Sequence, residues 1–227
     1  MKYEIFGGVL PAVEMTLDRG ESIYTQSGGM AWMTNSFTME TTTKGGLMKG
    51  LARKFSGDSI FMATYTAQQD ASKITFTGSM PGTILPLEIS SQNQYIAQKG
   101  AFLCAEPNVN VKAVFTKSFG AGLFGGEGFI LQEISGDGTV FLEADGSLKE
   151  IELAAGEQIK VDTGNIAAFE KSVGYSVETV KGFKNILFGG EGLFLTVLTG
   201  PGKVWLQTMS IGDIAGRLRP YLPTSSS

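Results

Sequence analysis

Apolar and polar positions along this chain come in short bursts, and many of them alternate with a period near two. VEMTL (13–17), KITF (73–76), EQIKV (157–161) and KVWLQTM (203–209) carry β-branched and aromatic residues in runs of strand length. DG, GDG, GG and PG signals bound such runs, and these are the residues of tight turns. GDGTVFLEADG (136–146) is two turn signals with one strand between them. Only two stretches have helical spacing. KGGLMKGLARKF (44–55) is one; GDIAGRLR (212–219) is the other, with Asp213 as its expected N-cap and Pro220 as its stop. The pattern predicts an all-β protein with a short C-terminal helix.

The pattern also recurs. LFGGEG stands at 123–128 and again at 187–192, a shift of 64 positions. The same shift lays GTVFLE (138–143) over GKVWLQ (202–207) and LEISSQNQY (87–95) over IELAAGEQI (151–159). It also puts Phe119 over Phe183 and Gly100 over Gly164. A fainter copy lies upstream: LDRGESI (17–23) matches LAAGEQI (153–159) at a shift of 136, and FSGDSI (55–60) takes the place of FGGEGF (124–129). The expected units run over about 17–83, 89–148 and 153–211. Antiparallel units of five or six strands leave apolar faces and edges that need cover. Three in one chain supply that cover to each other around a pseudo-threefold axis, as one domain over 1–227. Residues 212–227 hold the helix and a tail, LPTSSS, expected to be disordered.

Composition narrows the chemistry. There is no histidine, which removes Ser–His–Asp and Cys–His catalysis, histidine-held metals and the commonest base at neutral pH. A net charge of −4 opposes general binding to nucleic acid. The one cysteine, Cys104 in the apolar GAFLCAE, forms no internal disulfide and reads as a structural thiol. No apolar run approaches the roughly 20 residues that span a bilayer. MKYEIFGGVLPAVEM lacks the apolar core and cleavage site of a signal peptide. A cytoplasmic location without a cofactor is the expectation. Trp32 and Trp205 are expected in cores or at subunit contacts.

Two groups of residues carry candidate chemistry. LFGGEG leads into strand sequences, FILQEI and LFLTVL, with no GK[ST] following, so it reads as a turn rather than a phosphate loop. Its acids Glu127 and Glu191, with Asp58 in the first copy, hold equivalent positions. On the periphery they are solvated or accept backbone N–H bonds. Facing the axis, they would converge on a hard divalent cation, because each pair about 6 Å apart repels by roughly 2–3 kcal/mol at an effective dielectric near 20. Lys44, Lys49, Arg53 and Lys54 lie among Leu47, Met48, Leu51 and Phe55. Such a segment is either a connector with its apolar face in the core or a contact for an anionic membrane surface or a partner.

GLFGGEG (122–128), ILFGGEG (186–192) and the G-x-V-[FW]-L segments at 138–142 and 202–206 together resemble the Altered Inheritance of Mitochondria protein 24 family in its bacterial form. The resemblance covers roughly residues 3–211. It implies a fold similar to that of the tryptophan RNA-binding attenuation protein: a short double-stranded β-helix of three sandwich repeats about a pseudo-threefold axis. It brings no catalytic residues with it. The expected function is that of a non-enzymatic intracellular β protein, acting by homo-oligomeric assembly or through a protein partner, with a membrane surface as one place of contact. One alternative is a small-ligand or RNA-binding module by fold analogy. Another is a carboxylate-only cation site at Asp58, Glu127 and Glu191.

Overall fold

Short apolar bursts between glycine turns become strands paired antiparallel throughout. The computed structural model describes residues 1–26, 28–43, 61–117, 129–179, 194–218 and 221–222. The first third holds β1 (Lys2–Phe6), β2 (Ala12–Leu17), β3 (Ser22–Gln26), β4 (Met30–Met33), β5 (Phe37–Thr43), β6 (Phe61–Ala67) and β7 (Ser72–Thr77). Then come β8 (Gly82–Ile89), β9 (Tyr95–Gln98), β10 (Phe102–Ala105), β11 (Val109–Lys117), β12 (Phe129–Gly136) and β13 (Gly138–Asp145). The last third holds β14 (Leu148–Leu153), β15 (Gln158–Asp162), β16 (Ile166–Glu170), β17 (Gly174–Thr179), β18 (Phe194–Thr199), β19 (Gly202–Gln207) and the helix α1 (Ile211–Leu218).

Four sheets result, with strand orders β1-β2-β7-β4, β5-β6-β3-β10-β13-β8, β11-β12-β9-β16-β19-β14 and β15-β18-β17. Adding six to each strand number of the second sheet gives the third. The same addition maps β2-β7-β4 onto β8-β13-β10, and β9-β12-β11 onto β15-β18-β17. Register slips recur at matching places. They fall between Met30 and Trp32 on β4, Phe102 and Cys104 on β10, and Ile166 and Ala168 on β16. Each inserts one extra residue, the mark of a β-bulge, which bends the strand.

Facing sheets close three cores. Val13, Met15, Ile74 and Phe76 of the first sheet meet Ile23 and Tyr65 of the second. Val140 and Leu142 of the second meet Tyr95, Ile134 and Trp205 of the third. Phe169 and Val204 of the third meet Val161 and Leu198 of the fourth. β13 explains why GTVFLE does not alternate. Val140 and Leu142 enter one core and Phe141 another, so both faces of the strand are covered and both are apolar.

Tyr24 ties two of these layers together. Its hydroxyl donates to the Val109 carbonyl at 2.8 Å, inside the protein, and burial pushes its ionisation far above the usual phenol range. Tyr24→Phe strands that carbonyl. A loss of about 1–3 kcal/mol in a denaturant titration is the expected result.

Some local expectations change. Ser210, not Asp213, caps α1: its Oγ accepts from the Asp213 N–H at 3.1 Å and its carbonyl from the Ile214 N–H at 3.2 Å. Asp213 stands three residues on, in the first turn of the helix. Both are good capping types, and the serine simply comes first. Trp205 is buried as expected, its indole N–H donating to Glu150 at 2.9 Å, but Trp32 is 52% exposed on β4. Cys104 is fully buried, and that burial raises its thiol well above the ordinary value. The helix expected over 44–55 and the stop at Pro220 lie outside the described residues.

Candidate functional site

Asp58, Glu127, Glu191, Lys44, Lys49, Arg53 and Lys54 all lie outside the described residues, as do both copies of LFGGEG. The strands that flank them are described. Thr43 pairs with Phe61, Lys117 with Phe129, and Thr179 with Phe194. Residues 44–60, 118–128 and 180–193 therefore each connect the two strands of one antiparallel hairpin.

A different group is brought together at the ends of β13 and β19. Glu143 and Asp145 sit two residues apart on β13 and so share one side of the strand. With Gln207, which ends β19, they line a cavity of about 130 Å³ closed by the turns at Gly100 and Gly164 and by the start of α1. Glu143 Oε2 accepts from the Ser79 N–H at 2.6 Å and from its hydroxyl at 2.9 Å. Gln207 works as a bracket. Its side-chain oxygen accepts from the Asp145 N–H at 3.0 Å, its side-chain nitrogen donates to the Gly164 carbonyl at 2.9 Å, and its own carbonyl accepts from Asn165 at 2.8 Å.

Burial raises the Glu143 carboxyl above its ordinary range; the Ser79 bonds pull it back and the neighbouring Asp145 charge pushes it further up. Burial also raises Asp145. None of the described residues lining the cavity is basic. Among the described residues no group of three or more His, Cys, Asp or Glu is arranged to hold a metal. The cavity thus holds two protonatable acids, of which Glu143 ties the end of β13 to Ser79. Sequence reasoning missed it, although one signal was present. The shift of 64 lays Glu143 over Gln207, an acid over its neutral isostere.

This placement has a pH consequence. A carboxyl whose native pKa is raised binds its proton more tightly when folded, so its contribution is present below the unfolded value near 4.5 and is lost as pH rises through the native one. Glu143→Gln keeps an oxygen for Ser79 and removes the titration. The variant is expected to melt above the parent at pH 7, with the gap closing toward pH 4. A gap independent of pH would refute this account of Glu143.

All four sheets are open, each with two edge strands among the described strands. The second and third sheets run unbroken through the β3–β10 and β9–β16 pairings. β4 ends the first sheet and β15 ends the fourth, each with one unpaired edge among the described strands. Ala31, Trp32 and Met33 on β4 are exposed and uncharged. Val9, Leu10, Ile211 and Leu218 add exposed apolar surface elsewhere. No described helix is long and apolar enough to cross a membrane.

A protein-family model described as Mitochondrial biogenesis AIM24 matches residues 3–209. The chain belongs to that family. An uncharacterized protein of Streptococcus pyogenes serotype M6 is 32% identical to this AIM24-family chain over 225 residues, spanning 96% of it and 89% of the relative. A crystal structure of a Streptococcus pyogenes protein is similar with a TM-score of 0.78 at 27% identity, covering 97% of this chain and 99% of that one. The family match ends two residues before α1 begins.

Proposed function

We propose that this AIM24-family chain is a non-enzymatic assembly module: three copies of one six-stranded unit that share sheets, with outer sheet edges and exposed apolar surface that take further copies or a protein partner. One observation carries the reading. The six-strand shift in sheet order runs through the whole chain, and every sheet still ends in described strands with one open side: β1 and β4, β5 and β8, β11 and β14, β15 and β17. Drawn on strands, the units begin at β2, β8 and β14. The matched bulges on β4, β10 and β16 support the same division. Sheets shared between successive units agree with a fold like that of the tryptophan RNA-binding attenuation protein, with the units set about a pseudo-threefold axis. A cytoplasmic location fits the single buried thiol, and the lack of histidine fits a module without catalysis.

Gel filtration with light scattering tests the proposal. A mass above 24.1 kDa, or a co-purifying protein, is the expected result, and a strict monomer without a partner overturns it. A second reading places a divalent cation among Asp58, Glu127 and Glu191. It is favoured by one fact: each acid belongs to a connection within one of three matching hairpins. Calorimetric titration with calcium separates the two, since saturable heat abolished by Glu127→Gln belongs to the second reading alone.

A further inference from the structure

We propose that α1 is a proton-controlled strap, seated over the cavity of Glu143 and Asp145 in acid and released from it toward neutral pH. The strap concerns one chain alone, so it stands or falls apart from the assembly reading.

The seat is small. After β19 the chain stays tied to the body as far as Met209: the Thr208 N–H donates to the Ser147 carbonyl at 3.1 Å, and the Met209 N–H to the Asp145 carbonyl at 3.2 Å. Ser210 follows, buried against Gly164, where a Cβ would come within 3.0 Å of the Ser210 Cβ. Ile211 and Gly212 then close one wall of the cavity. Past that first turn the hold is weak. No residue of α1 is buried, Ile211 and Leu218 are exposed, and Ile214 is half-buried. Among the described residues α1 makes no hydrogen bond or ion pair to the body outside its Ser210 cap. Swinging α1 about Ser210 therefore gives up only packing at its start.

The chemistry under the seat decides when it lifts. Glu143 lies beside Asp145, whose charge opposes its ionisation. Next to the wall at Gly164, Asp162 accepts the Gly164 N–H at 3.0 Å, and the Asp213 charge on α1 opposes its ionisation too. The walls from the Ser79 turn, the Gly100 turn, Gly164 and β19 bring no charged side chain among the described residues. Lys99 belongs to the Gly100 turn but does not line the cavity, and Arg217 sits in the last turn of α1. The positive end of a helix offers roughly half an elementary charge, which does not balance two carboxylates.

Burial raises Glu143, Asp145 and Asp162 above their ordinary ranges, and Ile211 and Gly212 supply part of the cover over the first two. Lifting α1 lets water reach them and removes part of that penalty. The carboxyls thus bind protons more tightly under α1 than without it, so protons favour the seated form and their loss favours the released one. The response begins near the ordinary glutamate value of 4.5 and is complete above the raised native ones. Within that window the ratio of released to seated chains rises by up to about tenfold per pH unit for each proton lost. Release uncovers the acid pair and frees the apolar stripe of Ile211, Ile214 and Leu218 together.

A nitroxide on Arg217→Cys, an exposed site on α1 of the full chain, reads the strap directly; Cys104 is buried and does not compete for label. A separate label on Met39→Cys, exposed on β5, reports on the body. Electron paramagnetic resonance from about pH 4 to about pH 8 is expected to show an immobile Arg217→Cys label in acid. Its mobile fraction is expected to grow reversibly as pH rises, while the Met39→Cys spectrum stays constant. Glu143→Gln with Asp145→Asn is expected to keep α1 seated to the top of the range, with the circular dichroism spectrum unchanged. A label on α1 that is equally mobile at every pH in the parent chain overturns the strap, whatever the variants do. Loosening of both labels together means that the whole fold opens, and overturns it as well. A pH response undiminished in the doubly substituted chain takes control away from the two acids and does the same.

Discussion

Phe141→Ala is expected to lower the free energy of unfolding by about 3–5 kcal/mol, the range for emptying an aromatic site in a core. Phe141 is wholly buried on β13, opposite Pro86 on β8 and paired with Cys104 on β10. Its ring takes the edge of Tyr3 at 4.9 Å with an interplanar angle of 84°, so β1 is held onto the body of the protein partly by this contact. The neighbouring Val140 and Leu142 are committed to a different core and are not free to move into the space. Collapse is limited, and most of the cavity cost is therefore retained. Guanidinium unfolding of the variant and parent measures it. A loss below about 1 kcal/mol, typical of a surface change, would place Phe141 outside the core. Trp32→Ala, on an exposed stretch of β4, is the matched control in dilute protein, where each chain stands alone.

The same strand separates what was legible in the sequence from what was not. EQIKV alternates because one face is covered, and it appears as β15 with a one-residue offset, while KITF lies within β7, where Thr75 is as fully buried as Ile74 and Phe76. GTVFLE was recognisable as a strand only through its turn signals, since burial on both sides removes the alternation that would have told its faces apart. A period cannot say which of two cores a residue enters. Nothing local marks Glu143 and Asp145 either, because their cavity exists only where β19 and the start of α1 reach the end of β13. For Trp32 the expectation was a core or a subunit contact; its exposure on β4 excludes the core within one chain and follows from strand order, which no local pattern encodes. The family resemblance drawn from LFGGEG agrees with the family match, while the acids within that motif lie outside the described residues.

Strand order also connects stability to the proposed assembly. Both internal joints are made of buried residues: Thr25 and Cys104 in one, Ala97 and Ala168 in the other. At the corresponding outer positions Trp32 is half exposed, while Val161 is buried within its own sandwich. Protein concentration is then a variable of stability, because anything that binds the folded chain alone raises its apparent unfolding free energy.

Gly136→Ala is the second large effect expected, and its size depends on two separable costs. Gly136 has φ of +108°, a left-handed conformation that costs a residue with a side chain about 1–3 kcal/mol. A Cβ at that position would also overlap the carbonyl oxygen of Asn108. That carbonyl accepts the Asp137 N–H at 3.3 Å, next to the Val109–Gly136 pair that opens the β11–β12 ladder. Alanine must therefore strain the dihedral and push away the backbone on which the ladder starts. Gly156 supplies the comparison: its φ is +78°, but a Cβ there would meet open space. Gly156→Ala carries the dihedral cost alone, and Gly136→Ala is expected to melt clearly below it. Equal melting temperatures for the two variants would mean that the Asn108 carbonyl yields freely, and that this bend is set by its dihedral without help from close approach.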